Sequence, residues 1–262
     1  MSGPSVDAFG LDHFSLAGKR AIVTGGNTGL GHAFSVALAA AGADVFVPSI
    51  TPDEGSTAAL VAGRHGRRYA SMQADLTQAG VPAAAVRRCV EELGGVDILV
   101  NSAGICLLAD VADFGRVQWD PMIAVNMTAA FEIAHAASAE MVRQGSGKIV
   151  NIASLFSFLG GRQSPAYAAT KAGIVGFTKA YCDELGAHNV QVNAIAPGYF
   201  ATAITTATRG DDDANRRIVE HIPAGRWGDP ADLMGALVFL ASRASDYVNG
   251  HVLVVDGGYL VR

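Results

Sequence analysis

The chain has 262 residues, of which 50% are hydrophobic and only 16% charged, with a formal net charge of −5 at pH 7. That is ample length to bury a core and too apolar a composition for a disordered protein. The acidic balance, without any run of Lys or Arg, gives no footprint for nucleic acid or an anionic membrane, so a small-molecule ligand is expected.

Residues 1–13 carry no periodic pattern and are expected to form a flexible N-terminal arm; residues 14–262 form one domain. β-branched runs at 20–24, 44–50, 68–73, 97–100, 148–153, 191–196 and 252–255 alternate with helical periodicity at 29–41, 53–63, 81–93, 116–144, 164–185 and 229–242. This alternation is the mark of repeated βαβ units. It predicts an α/β, Rossmann-like, doubly wound sheet of seven parallel strands flanked by helices. The stretch at 199–222 breaks the rhythm with the polar cluster 209–215, and is read as a lid-like excursion outside the sheet. Cys89, Cys106 and Cys182 lack metal or redox spacing and are expected as reduced thiols. There is no signal-peptide pattern and no apolar stretch long enough for a bilayer, so the expected location is cytoplasmic, with no metal.

The first strand runs into Gly25-Gly26-Asn27-Thr28-Gly29-Leu30-Gly31 and then directly into a helix. Glycines here permit unusual backbone angles and let a pyrophosphate approach the backbone N–H groups at the helix start. Alone, such a turn is equally a tight βα connection; its place between first strand and first helix favours phosphate binding.

Tyr167 and Lys171 stand four residues apart in the 164–185 helix and so share a face. An ammonium about 4 Å from a phenol is worth up to ~4 kcal/mol at an effective dielectric of ~20, enough to lower the phenol by as much as ~3 pH units. Tyr167 is therefore expected to exchange protons near neutrality. Ser154 follows the fifth strand, where the ligand crevice of such a sheet opens, and its hydroxyl suits a substrate oxygen.

With Asn101-Ser102-Ala103-Gly104 after the fourth strand, these motifs resemble those of the classical short-chain dehydrogenases/reductases, and the likeness runs from about residue 14 to residue 262. Ser154 to Gly161, Ile222 to Gly228, and Ala244 to Gly258 are similar in particular to gluconate and 2-dehydro-3-deoxy-D-gluconate 5-dehydrogenases. The resemblance implies a catalytic set of Asn126, Ser154, Tyr167 and Lys171, Asn126 holding a water linked to Lys171. It implies cofactor contacts from Gly25, Asn27, Thr28, Gly29, Leu30, Gly31, Asp75, Leu76, Asn101, Ala103, Gly104, Tyr167, Lys171, Pro197, Gly198 and Thr202. It further implies hydride transfer between a nicotinamide and a secondary alcohol or ketone, a sugar acid or polyol as substrate, and a homotetramer.

Arg162, Gln163, Phe200 and His221, beside Ser154, are candidates to face the substrate. At the end of the second strand, Val47-Pro48-Ser49-Ile50-Thr51 supplies neither the acid that would select NAD nor a cation for a 2′-phosphate; the balance tips to NAD, with NADP open. A 3-oxoacyl carrier-linked reductase uses the same relay but would want a basic docking patch, which the sequence lacks. A non-catalytic dinucleotide-binding protein is a further alternative, opposed by the intact four-residue set.

Overall fold

The computed structural model describes residue 6 and residues 9–262. Seven strands, β1 (Arg20–Val23), β2 (Asp44–Ser49), β3 (Tyr69–Gln73), β4 (Ile98–Asn101), β5 (Gly147–Ile152), β6 (Val190–Pro197) and β7 (Val252–Val255), form one sheet. Its order is β3-β2-β1-β4-β5-β6-β7 with every neighbouring pair parallel. β5 and β6 are buried along their whole length, which is why they read as apolar runs rather than as alternation.

The helices are α1 (Gly29–Ala40), the short α2 (Ser56–Ala58) running into a π-helical stretch Ala59–Arg64, α3 (Val81–Leu93), α4 (Arg116–Ile123), α5 (Ala130–Gln144), α6 (Pro165–Leu185), α7 (Thr206–Gly210), α8 (Asp212–His221) and α9 (Met234–Ala241). Between α4 and α5 the helical path widens into a π-helical turn, Ala124–Ala129. Gly94 and Gly145, both left-handed, stop α3 and α5.

Two apolar layers sandwich the sheet. On one face Phe34 and Leu38 of α1 and Leu237 and Leu240 of α9 pack on Val23, Val45, Ile98 and Val150. On the other, Cys89 and Leu93 of α3 with Ile133 and Met141 of α5 cover Ile22, Phe46, Leu99, Ile149 and Val192. The neighbours Ile22 and Val23 go to opposite layers, as the two-residue period of a strand requires. Each large side chain so buried contributes about 1.5–3 kcal/mol.

The chain builds β1, β2 and β3 outward in one direction, then returns to the far side of β1 to place β4. Loops leaving β1 and β4 therefore diverge, and a crevice opens at the carboxyl ends of the strands.

The segment at 199–222 lies outside the sheet as a 3-10 turn, Ala203–Thr205, followed by α7 and α8. Of the expected arm, residues 1–5, 7 and 8 lie outside the described residues; beyond them Leu11–Phe14 makes a 3-10 turn, and Asp12 pairs with Arg243 at 2.6 Å. Among the described residues no helix is long and apolar enough to cross a membrane, and no group of three His, Cys, Asp or Glu side chains is placed to hold a metal.

Candidate active site

A cleft of about 410 Å³ runs along the carboxyl edge of the sheet. One end is the turn between β1 and α1. Gly25 and Gly29 there have φ of +63° and +50°, which L side chains rarely adopt. A Cβ on Gly31 would stand 2.2 Å from the carbonyl oxygen of Gly25, so the turn folds flat against the helix only with glycine at that position. Gly25, Thr28, Gly29, Leu30 and Gly31 all line the cleft. The next wall is the end of β2, Pro48 to Thr51, facing Asp75 and Leu76 after β3. Thr77 and Gln78 hydrogen-bond the Asp75 carboxylate and hold it below the usual carboxylate range.

At the other end Ser154, Tyr167 and Lys171 line the cleft together, with Ala103 and Gly104 after β4 and Pro197, Gly198 and Thr202 after β6. Ser154 caps a one-turn 3-10 helix, its Oγ accepting from the Phe156 N–H at 3.2 Å. That turn fixes the pair on α6. The Phe156 ring meets Tyr167 edge-on with centroids 5.9 Å apart, and the Ser157 hydroxyl donates to the Lys171 carbonyl at 2.7 Å. Lys171 Nζ donates to the carbonyl of Ile152, the last residue of β5, at 2.6 Å and lies 5.5 Å from the centre of the Tyr167 ring.

The expected lowering of the phenol is not what this geometry produces. Burial pushes Tyr167 up to about 12, with Cys106 adding to the rise and the Ser154 hydroxyl opposing it. Burial also pushes Lys171 down to about 8. The ammonium spends one donor on Ile152 and among the described residues has no carboxylate partner, so loss of water outweighs its attraction for a phenolate. Two of its three donors remain for a ligand.

Several sequence candidates stand elsewhere. Asn27 turns out of the cleft, its Nδ2 donating to the Thr51 and Pro52 carbonyls at 3.0 and 3.2 Å. Asn101 is buried under the cleft floor, donating to Ala130 O at 3.1 Å and Asn151 Oδ1 at 2.9 Å. Asn126 sits in the π-helical turn, where its Oδ1 accepts from Ile105 N at 2.8 Å and its Nδ2 donates to Ile105 O at 2.9 Å. It braces the 102–106 loop from behind. A Cβ on Gly104 would come 3.3 Å from Asn126 Oδ1 and 3.8 Å from Lys171 Nζ, so only that glycine separates the two.

Of the substrate candidates, Phe200 lines the cleft beside Ser154 and the other three do not. Arg162 is exposed to solvent, because the 160–163 turn points outward. Gln163, also exposed, has φ of +64° and donates to Asp110 at 2.7 Å. His221 packs against Tyr259 at a tilt, with centroids 4.3 Å apart, at the far end of α8.

Cys106, Val125, Ala203 and Ile204 also line the cleft and carried no site signal in the sequence. Position could have exposed Cys106: it stands two residues beyond Gly104 on the same strand-end loop. Burial raises its thiol, which lies 3.5 Å from the Ser164 hydroxyl.

The cleft fits a nicotinamide dinucleotide. It offers a glycine turn with open space over Gly29 at the start of a 12-residue helix, a neutral wall at 48–51, and a phenol and ammonium at the opposite end.

Comparison with known proteins agrees. A family model described as "Enoyl-(Acyl carrier protein) reductase" matches residues 25–260. The uncharacterized oxidoreductase YgcW of Escherichia coli (strain K12) is 61% identical over 262 residues, covering 100% of both chains. The 2-dehydro-3-deoxy-D-gluconate 5-dehydrogenase of the same strain is 46% identical over 96% of this chain and 99% of its own. The crystal structure of a gluconate 5-dehydrogenase from Burkholderia cenocepacia J2315, in complex with NADP and tartrate, is 36% identical with a TM-score of 0.91, covering 96% of this chain and 99% of that one.

Proposed function

The chain belongs to the short-chain dehydrogenase/reductase family, and from that membership we propose that it interconverts a hydroxyl and a ketone on a sugar acid, with NAD as the preferred cofactor. It is an NAD(P)-dependent oxidoreductase of the alcohol dehydrogenase/ketone reductase type. The observation that carries the reading is the convergence of Ser154, Tyr167 and Lys171 on one end of a cleft whose other end is the glycine turn.

When bound, the nicotinamide supplies or accepts the hydride at its C4. Gly25, Gly29 and Gly31 would admit the pyrophosphate to the start of α1, while Asp75 and Leu76 would border the adenine and Gly198 with Thr202 the nicotinamide end. Ser154 holds the substrate oxygen. In reduction Tyr167 gives its proton to that oxygen; an alkoxide is far more basic than a phenolate whose acid lies at about 12, so the transfer is downhill. In oxidation Tyr167 takes the proton back. Lys171, fixed by Ile152, places positive charge near the phenol and offers its free donors to the cofactor ribose. Asn126 acts from behind, holding the Ile105 backbone; a water between it and Lys171 would complete a relay to solvent.

The NAD preference follows from charge. Among the described residues Lys171 is the single cation of the lining and lies at the acid/base end; Ser49, Ile50, Thr51 and Thr28 give a 2′-phosphate no positive partner. The sugar-acid reading draws on relatives that act on gluconate derivatives and on the tartrate held by one of them. Segment 199–222, whose Thr202 to Ile204 line the cleft, serves as its lid. Ala172 and Gly176 on α6 are exposed with nothing against Gly176, a small-residue face with room for a second copy, as a homo-oligomer would need.

The test is a turnover panel of sugar acids, polyols and 3-oxoacyl thioesters with NAD(H) and NADP(H), alongside light scattering for the oligomer. Sugar-acid turnover with kcat/KM favouring NAD is expected. Turnover confined to thioesters overturns the substrate, and an NADP preference overturns the cofactor assignment.

A further inference from the structure

Arg209 is the fourth residue of α7, yet its side chain folds back toward the cleft end of the segment. Nη2 donates to the Thr202 carbonyl at 3.1 Å and to Thr206 Oγ1 at 3.4 Å, and Nε donates to Thr205 Oγ1 at 3.4 Å. All three acceptors are neutral. Among the described residues no carboxylate pairs with it, whereas Arg216, Arg226 and Arg243 are matched to Asp213, Asp232 and Asp12.

The group it grips is part of the cleft. Thr202, Ala203 and Ile204 are lining residues, and Arg209, itself outside the lining, is half-buried and bonded to the Thr202 carbonyl behind that wall. Among the described lining residues the only cation is Lys171, which donates to Ile152 and stands at the acid/base end. A carboxylate entering so apolar a space without a positive partner would lose its hydration uncompensated. An arginine bonded only to neutral oxygens can exchange them for a charge-assisted pair.

The geometry points to Arg209 as the specificity-determining residue that takes the carboxylate of the substrate, an assignment that rests on the sugar-acid reading above. It replaces Arg162, which the fold turns outward. The lid then contributes charge as well as cover, and neutral polyols of the same length are discriminated against by the lack of this contact.

The full-length enzyme and its R209Q and R209K variants are assayed with a sugar acid and with a neutral polyol or ketose of matching chain length. Cofactor affinity is followed by nicotinamide fluorescence, and binding of D-gluconate against sorbitol by thermal shift in the presence of cofactor. R209Q is expected to raise KM for the acid by about 10- to 100-fold, the range of a lost hydrogen bond to a charged group. It should leave the neutral substrate within about twofold and cofactor affinity unchanged, with R209K recovering part of the loss. A residue that merely braces the turn would cost both substrates equally, and that result overturns the assignment. So do a loss of cofactor affinity, which would make Arg209 a phosphate contact, and acid turnover indifferent to the variant. A wild-type enzyme that turns over only neutral alcohols sinks the substrate reading and the assignment together, whereas R209Q indifference sinks the assignment alone.

Discussion

Replacing Lys171 with methionine should change the pH dependence of stability in a calculable way. Burial takes this ammonium from 10.5 to about 8, and at ~1.36 kcal/mol per pH unit the folded state bears about 3 kcal/mol at pH 7 for keeping it charged. The sign follows from proton counts: between about 8 and 10.5 the unfolded chain binds more protons at this site than the folded one, so stability rises with pH. By pH 9.5 the penalty falls to about 1 kcal/mol. Wild type should therefore gain roughly 2 kcal/mol on K171M between pH 7 and 9.5. At pH 7 the variant escapes the penalty but leaves the Ile152 carbonyl, now 2.6 Å from Nζ, without its donor, at a cost of about 1–3 kcal/mol. The two nearly offset, so K171M should be about as stable as wild type at pH 7 while losing activity. Urea denaturation of both proteins at pH 7, 8, 9 and 9.5 measures the difference directly. A difference that stays flat across that range would refute a buried, strained ammonium.

Tyr167→Phe should lower kcat/KM by about 10²- to 10⁴-fold, with cofactor binding preserved, since the hydroxyl carries the proton and the ring carries the packing; near-normal turnover contradicts the role. Gly31→Ala places a Cβ 2.2 Å from Gly25 O, so the glycine turn must open. NAD(H) affinity measured by fluorescence should fall at least tenfold (~1.4 kcal/mol), and unchanged affinity would mean that the turn does not shape the cofactor site. Trp227→Phe removes the indole N–H bond to Asn215 Oδ1, 2.7 Å long, that ties α8 to the loop before α9. Hydrogen exchange in residues 212–221 should accelerate while β5 and β6 stay protected; uniform protection would show that the lid is held by other contacts.

Chain order, sheet and glycine turn were legible because each rests on a local signal. Strands such as Ile149 to Ile152 are β-branched and apolar, and the Gly25 to Gly31 run has one cheap conformation between a strand and a helix. Tyr167 and Lys171 were legible because four residues are about one helical turn. What stayed hidden depends on surroundings. The Asp211 to Asp213 cluster reads as loop polarity, yet Asp211 caps α8 by accepting from the Asp213 and Ala214 N–H groups. Asn27 and Asn101 have the right types in the right motifs, but their amides are claimed by backbone carbonyls and by Asn151. The direction of the Tyr167 shift turns on burial, which spacing cannot report.

The reversal of strand order between β1 and β4 has a consequence for how this enzyme comes into being. Phosphate-binding turn and proton-handling pair sit on opposite sides of that reversal, one encoded before residue 32 and the other after residue 153. Neither half of the polypeptide holds a working centre, so a nascent chain gains no grip on the dinucleotide's reactive end until β5 and α6 have docked. Occupancy by ligand thus reports completion of the whole sheet. It should shield the entire molecule from proteolysis, rather than one lobe of it.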